Sequence, residues 1–140
     1  MIPFTRVALA TAIVLLSTAA FADDLTGSDR FICSVDSVSA CCDDGECASG
    51  TAAELNLPQF IEIDLAAKRV NTTKASGMNR TTPIENLKRV HGQIFMQGVE
   101  NDRAFSFVLD EKTGEITGTV AQTMCSIKAF GKCTPLVALE

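Results

Sequence analysis

The chain has 140 residues, with 17 acids against 12 Lys and Arg and a formal charge of −5. That balance lacks the basic footprint of a nucleic-acid binder and offers no polybasic patch for anionic lipid. Eight Phe stand without any Trp or Tyr, which removes the rings that best join stacking area to a polar tip at carbohydrate platforms and protein hot spots.

Residues 1–22 have the grammar of an export signal. "MIPFTR" carries Arg6, "VALATAIVLLSTAAF" is apolar, and Ala20-Phe21-Ala22 puts small residues at −3 and −1 before Asp23. The apolar run is too short for a bilayer-spanning helix, which needs about 20 apolar residues. The expectation is a cleaved signal peptide over 1–22 and one disulfide-stabilised β domain over 23–140. The compartment would be the periplasm or the exterior, with no transmembrane segment left after cleavage.

Period-two alternation, the mark of half-buried strands, then recurs along the chain. "RFICSVD" (30–36) sends Phe31, Cys33 and Val35 to one face. "CCDDGEC" (41–47) is a Cys-rich loop, and "GTAAELN" (50–56) has room for one short helical turn. "QFIEIDL" (59–65) alternates again, "RTTPIENL" (80–87) is demoted by Pro83 to an edge or irregular strand, and "GQIFMQG" (92–98) is a short strand. "AFSFVLD" (104–110) puts Phe105, Phe107 and Leu109 on one face, "EITGTV" (115–120) groups Ile116, Gly118 and Val120, and "MCSIKAF" (124–130) groups Cys125, Ile127 and Ala129. Two turns match residue for residue, "IDLAAKRV" (63–70) and "LDEKTGEI" (109–116). In each an Asp can accept from turn N–H groups, and Gly114 suits a left-handed position that Lys68 fills at a cost. Short connections between such strands predict an all-β fold, a small antiparallel meander closed into a barrel or sandwich. Its interior, filled by Ile, Leu, Val and Phe, would leave little room for a ligand.

The order of these features resembles a group of small exported bacterial proteins, mostly proteobacterial, that carry no assigned activity. The resemblance rests on the cysteine-bearing first strand, the Cys-rich loop, "LPQFIEIDL", "GQIFMQGVENDRAFSFVLDEKTGEITGTV" and "FGKCTPL", and covers most of residues 31–135. It implies the fold and an exported location and no catalytic residues. It further implies counterparts of Cys33, of one of Cys41 or Cys42, of Cys47 and of Cys133, while Cys125 and the doubled cysteine depart from it.

An even cysteine count in an exported chain reads first as a disulfide framework. The spacings C-x7-C-C-x4-C and C-x7-C let antiparallel terminal strands pair Cys33 with Cys133 and Cys41 with Cys125, leaving Cys42 for Cys47. Parallel strands would instead pair 33 with 125 and 41 with 133. The antiparallel set is preferred among the fifteen connectivities that six cysteines allow.

Other chemistries fit poorly. Zinc would need four Cys or His ligands at spacings such as C-x2-C, and the lone histidine, His91, is in another segment. Asp43, Asp44 and Glu46 lack the spacing of a calcium loop. Thiol–disulfide catalysis wants a C-x-x-C thiolate at a helix N-terminus, and acids nearby would raise a thiol's pKa. No G-x-S-x-G elbow is present, and His91 in "RVHGQ" reads as a turn or strand-surface residue. The remaining site candidates lie in "QGVENDR", where Gln97, Glu100, Asn101, Asp102 and Arg103 cluster as a possible binding loop. The expected function is a non-catalytic binding or inhibitor-like module, without metal or cofactor, whose partner is a protein or envelope component. The alternative is a thiol, redox or hydrolytic enzyme using Cys125 or His91.

Overall fold

Each alternating run becomes a strand in the computed structural model, which describes residues 24–76 and 79–137. The expected signal peptide lies outside the described residues. In chain order the strands are β1 (Arg30–Cys42), β2 (Cys47–Gly50), β3 (Phe60–Asp64), β4 (Arg69–Thr72), β5 (Thr81–Pro83), β6 (Asn86–Val90), β7 (Gln93–Glu100), β8 (Arg103–Asp110), β9 (Glu115–Gln122) and β10 (Cys125–Pro135). They form one antiparallel sheet in the order β5-β4-β3-β1-β10-β9-β8-β7-β6, with β2 added beside β1. No helix among the described residues is long and apolar enough to cross a membrane.

The sheet is a meander that curls into a half-barrel. Its two end strands, β5 and β6, are one run of chain interrupted only by Ile84 and Glu85. On one side of this switch the Ile84 N–H donates to the Lys68 carbonyl at 2.8 Å, and on the other the Glu85 N–H donates to the Gln97 carbonyl at 2.9 Å. Pro83 ends the pairing with β4 at that point, where its missing N–H costs no ladder bond.

Apolar residues on the concave face, among them Phe31, Ile63, Ile94, Met96 and Leu109, are almost wholly excluded from water. Side chains of this size contribute about 1.5–3 kcal/mol each on burial. Leu25 and Leu65 belong to the same core and close one end of it. Glu111, buried beside them, is matched by Arg89, whose Nε donates to Oε1 at 2.7 Å and whose Nη2 donates to the Ser28 carbonyl at 2.7 Å. A carboxylate in that position needs such a partner, since an unpaired buried charge is costly.

The matched turns behave as their sequences imply. Asp64 Oδ1 accepts from the Ala67 N–H at 2.9 Å, and Asp110 Oδ1 accepts from those of Lys112 and Thr113 at 2.9 and 3.0 Å. The Thr113 and Lys112 N–H groups hold the Asp110 carboxyl below its usual pKa. Lys68 and Gly114 occupy the same left-handed position, with φ of 50° and 71°. A side chain there is strained, so Lys68→Gly is expected to raise stability by about 0.5 kcal/mol after the entropy of the new glycine is counted. Thermal unfolding would read this as a gain of about 2–4 °C, and a loss would mean that the lysine side chain contributes more than its strain. The single turn expected at 50–56 also forms, with the Thr51 N–H donating to Glu54 Oε2 at 2.7 Å and the Glu54 N–H donating to Thr51 Oγ1 at 3.3 Å. This is the reciprocal pattern of a capping box.

All six cysteines are bonded. Cys33 meets Cys133 as antiparallel terminal strands require, but the other two bonds are Cys42–Cys125 and Cys41–Cys47. The expected 41–125 and 42–47 pairing is thereby corrected, and the cause is a bulge. Val35 faces Gly131 while Ser37 faces Phe130, so Asp36 is an extra residue in β1. Beyond it every partner is displaced by one, and Cys125 faces Cys42. Because a one-residue step reverses the face of a strand, Cys41 points the other way and meets Cys47 across the β1–β2 hairpin.

Candidate functional site: an apolar cavity with a charged mouth

Strands from both halves of the sheet line a single cavity of ≈ 170 Å³ on the concave face. The packed interior expected from the sequence is present at only one end. Toward the other end three of the inward positions of β9 and β10 carry small residues, Gly118, Ala129 and Gly131, and these line the cavity. Phe105 and Phe107 form its wall. Their rings stand 4.9 Å apart at 37°, each above a glycine of the neighbouring strand in register, Gly98 for Phe105 and Gly118 for Phe107. A Cβ on either glycine would come within 3 Å of the ring. The pairing of a large flat side chain with a bare backbone lets both rings lie down against the sheet. Ile61, Ile116 and Ile127 complete an apolar lining.

The turn "QGVENDR" forms one side of the mouth. Glu100 and Arg103 are opposite each other in the β7–β8 ladder and both line the cavity. Gln97 faces the convex side, in a shallow groove with Asn86 and Ser106. Asn101, at φ 53°, and Asp102 are exposed turn residues. Of the five loop candidates the fold therefore brings two to the cavity. Thr72 and Arg80 arrive from the opposite half of the sheet, and Arg80 Nη1 lies 4.0 Å from Glu100 Oε2. Among the described residues Arg103 forms no ion pair. Two guanidinium groups and one carboxylate leave the mouth with one positive charge in excess, on a chain that is acidic as a whole.

Nothing in the sequence marks Arg80, Gly98 or Gly131 for this site, whereas Gly118 already falls on one face with Ile116 and Val120. The Phe107–Gly118 contact did leave a signal, since the turn at 110–114 already sets that register. Arg80 left none, because it reaches the mouth only through the curl of the sheet.

The other candidates lie elsewhere. His91 and Gly92, with φ of 51° and 77°, make the two-residue turn between β6 and β7, as expected of a primed hairpin turn. Cys125 carries no thiol, being bonded to Cys42. "CCDDGEC" is the β1–β2 turn: Asp44 Oδ1 accepts from the Glu46 N–H at 2.9 Å, and the Asp43 N–H donates to the Met124 carbonyl at 2.8 Å. No three His, Cys, Asp or Glu residues among those described come together as metal ligands. No family model matches this chain, and no curated protein matches it.

Proposed function

We propose that the protein is an exported, non-catalytic binding module that holds a small apolar ligand in the cavity of its concave face. The observation that carries this reading is the cavity itself, walled by Phe, Ile and Gly, with the exposed Arg80 and Arg103 and the half-buried Glu100 in its lining. An apolar protein cavity of roughly 150 Å³ accepts a benzene molecule, so ≈ 170 Å³ suits a single ring or a short alkyl chain. In this reading a small molecule or a short apolar chain end takes the place of the protein or envelope component expected from the sequence alone. Three disulfides support export to an oxidising compartment such as the periplasm. The single run of chain through β5 and β6 supports reading the half-barrel as a closed up-and-down barrel, the architecture that elsewhere holds one small ligand. An enzyme built on Cys125 or His91 draws no support from their placement, one sulfur being spent in a bond and the imidazole sitting in a turn remote from the cavity.

Titration with toluene followed by NMR tests the proposal. Saturable shifts confined to Phe105, Phe107, Ile127 and their neighbours are expected, together with a rise in melting temperature through linkage. Ala129→Leu, which fills the space, should abolish both. Shifts that stay linear to the solubility limit would remove the basis for the proposal.

A further inference from the structure

Arg103, Phe105 and Phe107 succeed one another along the inward face of β8, so a molecule lying on that strand meets a guanidinium first and two aromatic rings next. From this gradient, and resting on the binding proposal above, we infer that the ligand is an amphipathic monoanion. Its tail, of about six to eight carbons for a cavity of this size, lies between the rings and Ile127. Its singly charged head, a carboxylate or a group of like charge, sits at Arg103.

Charge and geometry both select the sign. Glu100 is within reach of Arg80, at 4.0 Å, which leaves Arg103 as the charge at the mouth without an ion-pair partner among the described residues. A cationic head would meet two guanidinium groups and one carboxylate already engaged. A neutral head would gain nothing from Arg103 that water does not supply. A carboxylate matches the planar fork of a guanidinium and can accept two parallel hydrogen bonds from it. The far end of the interior is occupied by Leu25, Leu65 and the Arg89–Glu111 pair, so the tail must enter from the mouth and its length is limited. The net charge of the chain works against anions at a distance, but at about 10 Å of screening in ordinary buffer the local excess at the mouth governs the bound state.

Calorimetric titration of the whole protein with octanoate, octanol and octylammonium separates this inference from the proposal beneath it. Octanoate should bind about three to ten times more tightly than octanol, as expected for a partly exposed charge-assisted contact. The advantage of octanoate over octanol, taken as a ratio for each variant and each salt concentration, should vanish in 0.5 M salt and in Arg103→Gln, and return in part in Arg103→Lys. Arg103 is on the surface and outside the buried core, so both variants should fold. Equal binding of octanoate and octanol, or an Arg103→Gln variant that keeps the preference, would overturn the inference and leave the binding proposal standing. Tightest binding of octylammonium would overturn it in favour of Glu100 as the head partner. Failure of all three ligands to bind would remove the binding proposal itself.

Discussion

Replacing Cys33, Cys133, Cys42 and Cys125 together by alanine is expected to lower the free energy of unfolding by about 7–8 kcal/mol, while removing either bond alone costs about 3. The two bonds are nested. Cys33–Cys133 spans a sequence separation of 100 and Cys42–Cys125 one of 83. In the chain-entropy account the first bond to close restrains a long loop and is worth about 4.5–4.7 kcal/mol. Once it exists, the second closes only the ring made by residues 33–42 and 125–133, roughly 19 residues, worth about 3 kcal/mol. Each bond alone is therefore partly redundant, and the pair is not. Cys41–Cys47, with a separation of 6, should contribute about 2–2.5 kcal/mol by the same relation. Domains of this size have total stabilities of about 5–15 kcal/mol, so the fourfold variant should be close to unfolded at ordinary temperature. Urea denaturation of the two paired variants, the fourfold variant and Cys41→Ala/Cys47→Ala gives the comparison. A fourfold loss below about 3 kcal/mol would show that pairing of β1 with β10 holds the chain ends without covalent help.

The strands were legible in the sequence because burial of one face imposes period two. Phe31, Cys33 and Val35, or Phe105, Phe107 and Leu109, could not alternate so regularly in a helix. The cysteine pairing was legible only up to one residue. Matching of spacings located the β1–β10 ladder and its direction, and then assumed that the ladder was unbroken. The bulge at Asp36 breaks it within "VDS", a stretch with no glycine to announce a change of register. The glycine at the break, Gly131, which faces Val35, is on the other strand. The cavity was less legible still. Gly118, Ala129 and Gly131 are ordinary strand residues until registers across β8, β9 and β10 place them on one concave surface. The charged mouth was half legible: Arg103 and Glu100 stood in a polar loop, but Arg80 is far from them along the chain and near them only in the folded sheet.

Gly131→Ala should cost about 3 kcal/mol or more, at the upper end of what overpacking does in a core. A Cβ at this position would overlap the Ser34 carbonyl oxygen and sit 3.0 Å from its carbon. Those are backbone atoms, so no rotamer change relieves the contact; β1 and β10 have to part. The bonds Cys33–Cys133 on one side and Cys42–Cys125 on the other oppose that parting. Gly118→Ala is the informative contrast. Its Cβ would meet the Phe107 ring at 2.9 Å, and a ring beside a cavity can move into it, so a loss of about 1 kcal/mol and a smaller cavity are expected. Equal and small losses for both variants would show that the two strands separate freely despite their covalent ties. A second escape is open to Gly131→Ala, a slip of residues 125–130 by one position against β1 that undoes the bulge and leaves Cys33 opposite Cys133. That slip would bring Cys125 opposite Cys41 and free Cys42 for Cys47, and non-reducing peptide mapping of the variant would detect the exchanged pairs. Unexchanged bonds with a large loss of stability are the expected result, because undoing the bulge would reverse the faces of residues 37–42 of β1 and exchange two disulfides at once.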